Sequence, residues 1–452
     1  SFILVKLLSL YSDFHNVGIA CKVFDRVPNR SCTLWNQIIR GHLAAGNHRN
    51  SVELFIQMER SDVQPDGHTY TYVTNGCTKG GYWGLGGQIH GKILKGGICS
   101  DIYVCTSLVD FYVKCCAGAF GGVQNAKKLF DEMPEKNAVT WNTLLLGFFR
   151  QGDVDGARGV FNEMPWRNTV SWTTMIVGCA QNGRSKEALA FFRMMVLENI
   201  EFDQVTLVGV LSACAELGDL RLGKWVHSYV LQSFVNKTQL LISLQNSLIH
   251  MYASCGEINA AFDIFRSMKQ RTTVSWTSMI TAFAKHGYGD VAISMFQSML
   301  QEGRSAKPDA ITFLGVLCAC SHSGYVEMGW HYFNSMVENW GIDPKIEHFG
   351  CMVDMLSRAG LLDDAHRVVK SMRLKPNDVI WGALLGGCRI HRSVKLASDV
   401  LLSDWFCQEL QVDDRASGYF ALLSNVYAGA RKWHDVAAVR QKMINKPPGR
   451  SW

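Results

Sequence analysis

The chain has 452 residues, of which 48% are hydrophobic and 19% charged, and its formal net charge is +6. It is too apolar to be a disordered chain, and no apolar run approaches the ~20 residues that a membrane span needs. The mildly basic balance permits a nucleic-acid partner but does not require one. The 15 cysteines have no pairing pattern, so they are expected to be small buried thiols, as at Cys179, Cys214 and Cys320.

Three markers recur along the chain at matching intervals. Tryptophans stand in related strings (TLWNQII, VTWNTLL, VSWTTMI, VSWTSMI, VIWGALL) at Trp35, Trp141, Trp172, Trp276 and Trp381. Cysteines do so at Cys77, Cys214 and Cys320. The pattern Phe-x-x-Met recurs at Phe55, Phe130, Phe161, Phe192, Phe265, Phe296 and Phe333. The intervals indicate units of about 31 to 38 residues in groups of three, which is typical of a repeat protein.

Each unit is predicted to form two helices, as residues 138–168 illustrate. Their first apolar stripe has the i, i+3, i+4, i+7 spacing of a helix and consists of Trp141, Leu144, Leu145 and Phe148. Gly152 interrupts the pattern, and a second stripe then runs to Met164 before a proline. Neither helix could bury its apolar face alone, so neighbouring units must stack into a solenoid of either winding.

These features resemble the pentatricopeptide repeat family, in its plant organellar form with standard, long and short repeats. The strings that carry the resemblance are VSWTTMIVGCAQNGRSKEALAFFRMM, VTLVGVLSACAELGDLRLGKWVH and LQNSLIHMYASCGEINAAFDIFRSM. The resemblance implies an all-α fold, a right-handed superhelical α-solenoid of stacked helix-turn-helix repeats. It divides the chain into 1–31 (a partial short repeat), 32–66 (standard), 67–101 (long), 102–137 (short), 138–168 (short), 169–203 (standard), 204–241 (long), 242–272 (short), 273–309 (standard), 310–345 (long) and 346–377 (short).

The segment 378–452 departs from the repeat pattern and resembles the family's C-terminal extension, the E domain. Two helical-pair modules are expected, at 378–413 and 414–452, and the latter is expected to be truncated because it ends in INKPPGRSW. A lengthened turn is also expected near CCAGAFGG in the repeat 102–137.

The resemblance implies that each repeat reads one RNA base through its fifth and its last residue. The residue pairs that this assigns are Asn36/Asp66, Thr106/Asn137, Asn142/Asn168, Thr173/Asp203, Asn246/Thr272 and Thr277/Asp309. Helix capping alone would also explain any single one of these polar residues, but six pairs in register make coincidence less attractive.

The family code then predicts a target for residues 32–377. Asn with Asp implies U, Thr with Asp implies G, Thr with Asn implies A, and the other two pairs imply a pyrimidine (Y). The long repeats offer Val208 and Leu314, which should read poorly, while Thr71/Asp101 is ambiguous and Gly350/Asn377 is left unassigned. The expected target is 5′-U-N-A-Y-G-N-Y-G-N-N-3′.

Two further sets of residues are expected at the RNA surface. The second residue of a repeat should wedge between bases, which gives Val139, Val170, Val205, Val274 and Ile311; these could equally be ordinary first-turn aliphatics. The thirteenth place should contact phosphate through Lys79, Lys114, Arg150, Lys285 and Arg358. A cation near the end of a helix also suits the helix dipole, which is the alternative explanation.

No catalytic, metal or cofactor site is expected. H-x-E and C-x-x-C are both missing, so the zinc deaminase signature is absent. Cys115-Cys116 and Cys318-x-Cys320 have no partners at metal-ligand spacing. Two G-x-x-x-x-G-K matches, from Gly86 and from Gly218, lack the following Ser or Thr and lie in predicted helices, which argues against a P-loop.

Three hypotheses remain. The first is a sequence-specific single-stranded RNA-binding factor for C-to-U editing in a mitochondrion or, alternatively, a chloroplast, with a deaminase-bearing partner protein and accessory editing factors acting in trans. The second is a protein-binding scaffold like tetratricopeptide repeats, which need not keep Asn, Thr and Asp in register. The third is an RNA splicing or stabilisation factor with the same binding mode. Ser1 lies inside a partial repeat, so any targeting segment is expected to be missing.

Overall fold

A computed structural model describes residues 2–14, 16–115, 122–234, 241–303, 306–401 and 416–444. These residues form α-helices and one turn of 3-10 helix at Ile98–Ser100, and no strand occurs among them. The expected all-α class is therefore confirmed. The chain divides into two compact units, Ser1–Leu217 and Gly218–Trp452.

The first unit contains thirteen helices in the residues described, and consecutive pairs correspond to consecutive repeats. They are α1 (Phe2–Asp13), α2 (Val17–Asp25), α3 (Cys32–Ala44), α4 (His48–Arg60), α5 (Gly67–Gly80), α6 (Trp83–Lys95), α7 (Ile102–Cys115), α8 (Gly122–Glu132), α9 (Ala138–Arg150), α10 (Val154–Glu163), α11 (Thr169–Gln181), α12 (Ser185–Leu197) and α13 (Gln204–Leu217). The expected long turn falls mostly between α7 and α8, outside the described residues.

The second unit begins with the second helix of the repeat 204–241 and continues with the same alternation. Its described helices are α14 (Leu220–Phe234), α15 (Ile242–Ser254), α16 (Ile258–Ser267), α17 (Thr273–Lys285), α18 (Gly289–Gln301), α19 (Ala310–Ser323), α20 (Val326–Glu338), α21 (Ile346–Arg358), α22 (Leu362–Ser371), α23 (Asp378–Ile390), α24 (Val394–Leu401), α25 (Ala416–Gly429) and α26 (Trp433–Ile444).

The repeat 138–168 shows how the sequence produces a helix pair. The Asn137 side chain caps α9 by accepting the Thr140 N–H, and the helix ends before Gly152. Gly152 adopts φ +77°, a left-handed conformation that a residue with a Cβ rarely takes. The Asp153 side chain then caps α10. The apolar stripes predicted for both helices are buried, so both helices face the core.

Within each unit the first helices of successive repeats pack against one another, as α3 does on α5 and α17 on α19. The second helices pack on the first helices of their own and the following repeat. The backbones of consecutive second helices lie farther apart, and these helices meet through side chains, as Lys92 does with Glu59 and Phe161 with Phe191. The first helices therefore form the closely spaced layer of the solenoid in each unit.

The tryptophan and phenylalanine markers join neighbouring repeats. Trp141 packs edge-on against Phe130 of the preceding repeat, with ring centroids 4.6 Å apart. The same contact recurs between Phe161 and Trp172, at 4.9 Å. Such edge-to-face pairs stabilise beyond the area that they bury. The recurring phenylalanines and tryptophans therefore hold each repeat against the next.

An arginine just before the last residue of two short repeats closes the second helix. Arg271 donates from Nε to the Phe265 carbonyl and from Nη2 to the Arg266 carbonyl. Its guanidinium lies 4.8 Å from the centre of the Phe265 ring. Arg167 makes the same contacts in the repeat 138–168. These arginines satisfy carbonyls that the end of a helix leaves without partners.

The cysteines cited above behave as core residues. Cys179, Cys214 and Cys320 are completely buried, as expected. Burial raises the pKa of the Cys179 thiol to about 12 and that of Cys320 to about 11. Thiols in this state are protonated at neutral pH and are poor nucleophiles or metal ligands.

Candidate nucleic-acid interface

The fifth residue of each repeat lies in the first or second turn of a first helix, in the closely spaced layer. Four of these residues are largely covered, with Asn36 5% exposed, Asn142 8%, Thr173 9% and Thr277 8%, while Thr106 and Asn246 are half-buried. Burial to this degree is unusual for polar side chains that have no hydrogen-bond partner. The question for each one is therefore which groups its polar atoms contact.

The last residue of each assigned repeat precedes the first helix of the next. Oδ1 of Asp203 accepts the backbone N–H of Thr206, and Oδ1 of Asp309 accepts that of Thr312. Asn137 and Asn168 cap their helices in the same way. Capping is therefore a real function of these residues. It uses Oδ1 only, so Oδ2 of each aspartate and Nδ2 of each asparagine lie outside the capping bond.

The fifth and last residues meet at a hydroxyl that sequence reasoning missed, the third residue of the following repeat. Oγ1 of Thr173 and Oγ1 of Thr206 are joined by a 2.6 Å hydrogen bond, and Thr206 donates to Oδ1 of Asp203 at 2.8 Å. Thr277, Thr312 and Asp309 repeat this arrangement. The signal was present in the sequence as Thr or Ser at the third place of the next repeat, namely Thr69, Thr140, Ser171, Thr206, Ser275 and Thr312.

The asparagines at the fifth place differ according to that hydroxyl. Oδ1 of Asn36 accepts from Oγ1 of Thr69 at 2.6 Å. Where the third residue is serine, Oδ1 of Asn142 and Oδ1 of Asn246 are buried and have no hydrogen-bond partner. An unpaired buried carbonyl carries a desolvation penalty that a ligand donor would relieve.

The pair Asn246/Thr272 differs in its contacts from the Thr/Asp pairs. The backbone N–H of Thr272 donates to Oγ of Ser275 at 3.1 Å, and the two hydroxyl oxygens lie 3.2 Å apart. Thr272 has no carboxylate or amide, so it lacks the second polar atom that Asp203 or Asn168 keeps outside the capping bond. Oδ1 of Asn246 is buried and has no hydrogen-bond partner.

One cavity gathers all three predicted classes of residue. A cavity of about 500 Å³ in the second unit is lined by the reader pair Thr277 and Asp309. It is also lined by the expected wedges Val274 and Ile311 and by the expected phosphate contact Lys285. The three sets were assigned by their places in the repeat, and at the repeat 273–309 they lie around one concavity. Pockets of this size and mixed polarity are typical of ligand sites.

A second cavity, of about 490 Å³, lies at the following long and short repeats. Its lining includes Leu314, Gly350 and Asn377, and Arg358 stands at its edge. Leu314 and Gly350 have no side-chain hydrogen-bonding group. The long repeat 310–345 is the one expected to read poorly through Leu314, and no base is assigned to the repeat 346–377.

The expected wedge residues are exposed in the free chain. Their exposed fractions run from 48% at Val205 to 61% at Val139 and Ile311. Folding does not bury the apolar surface of these aliphatic side chains, so that surface is accessible to a ligand. Sequence reasoning missed two residues in the same register, Tyr103 and Val379, each 69% exposed. Counting two residues into each repeat would have found both.

The predicted phosphate contacts are all exposed, but they fall into two groups. Lys114 is paired with Asp110 at 2.7 Å and Arg358 with Asp354 at 2.9 Å, each with a carboxylate four residues earlier. For the other three, no ion pair occurs among the described residues; these are Lys79, Arg150 and Lys285. The unpaired cations are the stronger candidates, because a phosphate there displaces no carboxylate.

Asp66 shows how the reader site affects ionisation. Burial raises the pKa of its carboxyl, but hydrogen bonds from the Thr69 N–H and from the Asn36 and Thr69 side chains outweigh that effect. The net result is a pKa below the usual value. Asp66 is therefore an anion at neutral pH, and its hydrogen bonds to Asn36 and Thr69 favour that state.

The long repeat 67–101 supplies a natural contrast. Its fifth residue, Thr71, donates to the Gly67 carbonyl of its own helix at 2.8 Å. The third residue of the next repeat is Val104, which has no hydroxyl, and Asp101 accepts only backbone N–H groups, from Tyr103 and Val104. The arrangement seen at Thr173 and Thr277 does not form here.

Comparison with known proteins bears on this array directly. The PPR repeat family model matches residues 30–79, 167–216 and 271–322, and PPR repeat models match 135–165, 246–272, 311–340 and 347–376. An Arabidopsis thaliana pentatricopeptide repeat-containing protein is 39% identical over 457 residues, covering 100% of this chain and 83% of that protein. The chain belongs to the pentatricopeptide repeat family.

Other pentatricopeptide repeat proteins agree with this assignment. The chloroplastic protein CRR2 of Arabidopsis thaliana is 36% identical over 461 residues, covering 100% of this chain and 63% of CRR2. The crystal structure of the pentatricopeptide repeat protein PPR10 in complex with an 18-nt psaJ RNA element matches with a TM-score of 0.50 at 16% identity, over 98% of this chain and 74% of that one. That likeness supports the α-solenoid fold.

This pentatricopeptide repeat chain also carries a C-terminal E motif, matched at residues 403–452. Much of that segment lies outside the described residues. The chain spans 66% and 63% of the length of two curated relatives that it matches. The family models that match this chain describe repeats and an E motif.

Other kinds of site are not found in the part of the chain that the structure describes. No group of three or more His, Cys, Asp or Glu residues there is arranged to hold a metal ion. No helix among the described residues is long and apolar enough to cross a membrane.

Proposed function

We propose that the chain is a sequence-specific single-stranded RNA-binding factor of a plant organelle that reads the sequence 5′-U-N-A-Y-G-N-Y-G-N-N-3′. The observation that carries the proposal is the cavity at the repeat 273–309. It combines a polar pair, Thr277 and Asp309, with two exposed aliphatic side chains and the exposed cation Lys285. Polar groups for a base edge, apolar groups for a base face and a cation for phosphate are what a single nucleotide requires.

The same three elements recur in the repeat 138–168, which has the pair Asn142 and Asn168, the aliphatic Val139 and the exposed cation Arg150. In the repeat 169–203 the polar pair and the aliphatic side chains recur, while the thirteenth residue is Gln181. Repetition at the period of the solenoid is what reading one base per repeat requires. A scaffold that binds proteins has no need for matched polar pairs at this period.

The relatives support an organellar role. Their names describe CRR2 as chloroplastic and another protein, 35% identical over 459 residues, as chloroplastic/mitochondrial. PPR10 was crystallised with an RNA element. We assign this chain to the mitochondrion, with the chloroplast as the alternative.

The E motif leads to the finer proposal that the chain directs C-to-U editing. The zinc deaminase signature is absent from these 452 residues, and we propose that a deaminase-bearing partner protein acting in trans supplies the chemistry for this targeting role. The repeats 32–377 would select the transcript, while 378–452 would bind the partner and the long repeats would bind accessory editing factors. The chain itself would be the targeting subunit.

The test is deep sequencing of organellar transcripts in a loss-of-function line. We expect at least one cytidine near a match to the predicted target to lose its conversion to uridine. A transgene carrying Thr173→Asn and Thr277→Asn should fail to restore that site. A transgene carrying Arg193→Ala, which changes an exposed cation on the second helix α12, should restore it. Intact editing with altered splicing or transcript ends would contradict the editing role.

A further inference from the structure

We propose that the hydroxyl at the third place of the following repeat is a third member of each base-reading site. It would act as a positioning residue that decides which donors and acceptors the fifth residue presents to the base. The inference rests on the proposed RNA-binding function. The six hydroxyls concerned are completely or almost completely covered and are Thr69, Thr140, Ser171, Thr206, Ser275 and Thr312.

The hydroxyl accompanies assigned reader pairs and is replaced elsewhere. All six repeats with an assigned pair are followed by Thr or Ser at that place. The four repeats without an assigned pair are followed by other residues, namely Val104, Leu244, His348 and Ile380. The sequence therefore associates a third-place hydroxyl with the repeats that have an assigned reader pair.

Helix capping alone does not explain this distribution. Oδ1 of Asn377 accepts the Ile380 N–H at 3.1 Å, and Oδ1 of Asp101 accepts the Val104 N–H at 3.3 Å. Both caps form with no hydroxyl at the third place. The hydroxyl is therefore dispensable for the cap. At the four threonines it also contacts the fifth residue of the preceding repeat, whereas beside Ser171 and Ser275 Oδ1 of that asparagine has no hydrogen-bond partner.

In the two Thr/Asp repeats, the direction of the hydrogen bonds can be worked out. Thr206 has one hydroxyl proton, which it donates to the Asp203 carboxylate, because an ionised carboxylate only accepts. Thr206 must then accept in its 2.6 Å bond with Thr173. The Thr173 proton is therefore committed, and its Oγ1 offers only lone pairs to a base. Thr312 and Thr277 follow the same logic.

This polarity selects guanine over adenine. Thr173 Oγ1 and the Asp203 carboxylate both accept hydrogen bonds, and guanine presents N–H donors on its Watson–Crick edge where adenine presents an acceptor nitrogen. The repeat assigned to adenine has the same hydroxyl contact: Thr106 and Thr140 lie 2.8 Å apart, and Thr140 donates to Oδ1 of Asn137. It differs in its last residue, because Asn137 has an amide that donates where Asp203 has a second carboxylate oxygen that accepts.

The loss-of-function test is Thr206→Val in the full 452-residue chain, measured against synthetic ten-mers that differ only at the fifth base. Freed from Thr206, the Thr173 hydroxyl could donate as well as accept, so we expect discrimination of G over A at that base to fall about tenfold. Discrimination at the eighth base, read by Thr277 and Asp309, should stay unchanged in the same variant. Thr206→Ser keeps the hydroxyl and should retain the preference.

A gain-of-function test uses the repeat 67–101. Val104→Thr would supply the missing hydroxyl at the third place, next to Asp101, which already accepts the Val104 N–H, and the change keeps the shape of the side chain. We expect a new preference for G at the second base, with the fifth base as the internal control. Melting curves of all variants establish that each one folds.

The outcomes separate the two proposals. If the unaltered chain binds no RNA, the proposed function fails. If it binds and Thr206→Val discriminates as before, or weakens binding to all four bases equally, the third-place hydroxyl is only structural and the inference is overturned. A Val104→Thr chain that folds but gains no preference for G would also overturn it.

Discussion

The side-chain amide of Asn36 donates a 2.9 Å hydrogen bond to Oδ1 of Asp66. The two residues are the fifth and last of one repeat, and this bond brings them together across the full length of the repeat. The same carboxylate oxygen accepts the backbone N–H of Thr69 in the next repeat. A reader site is therefore assembled from two successive repeats and is ordered before any ligand arrives.

The Asp66 carboxylate should make stability depend on pH. Its pKa in the folded chain lies below the usual value. The stability that it contributes is thus present above the unfolded pKa of about 3.9 and is lost as pH falls through the folded pKa. We expect the chain to melt at a higher temperature than Asp66→Asn at pH 7, and the gap to close in acid. Melting curves from pH 7 downwards measure this, and a gap independent of pH would contradict it.

A code substitution tests the register of the array. Thr173→Asn should shift the preference at the fifth base of the target from G towards U, since it creates an Asn/Asp pair like Asn36 and Asp66. The change is structurally reasonable because Asn36 occupies the equivalent place beside a third-place threonine, Thr69. Competition binding with ten-mers that vary only at that base gives the readout. An unchanged preference for G would reject the register.

Salt dependence tests the phosphate contacts. Lys285 is exposed and lines the cavity at Thr277, so Lys285→Ala should reduce the log–log slope of affinity against salt by about 0.7. Lys114 is already paired with Asp110, so Lys114→Ala should change the slope less. Arg193→Ala on the second helix α12 is the matched control and should leave the slope unaltered. Equal slopes for all three variants and the original chain would discredit the cation stripe.

The arginine that closes α16 should matter for stability but not for base preference. Arg271→Ala removes two hydrogen bonds to helix-end carbonyls and a cation–π contact with Phe265. A loss of about 1–3 kcal/mol in the free energy of unfolding is expected, measured by urea denaturation. Lys269→Ala, at an exposed residue of the same loop, should have almost no effect. Equal stability of the two variants would show that the guanidinium contacts contribute nothing.

The sequence was a good guide to the fold because the fold depends on local patterns. Apolar stripes predict helices, Gly152 predicts the turn between two of them, and the spacing of Phe161 and Trp172 predicts where repeats touch. Each of these signals acts within one helix pair or between neighbours. Period and residue type together were therefore enough to predict the all-α solenoid.

The reader site was less predictable, because it depends on how closely first helices approach each other. Register located Thr173 and Asp203, but it gave no sign that Thr173 would be almost covered and bonded to Thr206. That contact joins side chains on separate helices, and only packing brings them within reach. The pairing of Lys114 with Asp110 could have been foreseen, since their i, i+4 spacing is a known helix contact.

Thr272 shows a second limit of register. The repeat pattern placed it where Asp203 and Asp309 stand, but a threonine has one hydroxyl where an aspartate has two carboxylate oxygens. In the structure that hydroxyl lies beside the hydroxyl of Ser275. Position in the repeat alone did not predict this difference in contacts.

The most direct test of the whole account is whether the purified 452-residue chain retards a ten-mer of the sequence 5′-U-N-A-Y-G-N-Y-G-N-N-3′, with each N and Y fixed to one base. The account predicts clear preference for this RNA over a ten-mer of the same composition in shuffled order. Equal affinity for the two RNAs, or no binding to either, would contradict it.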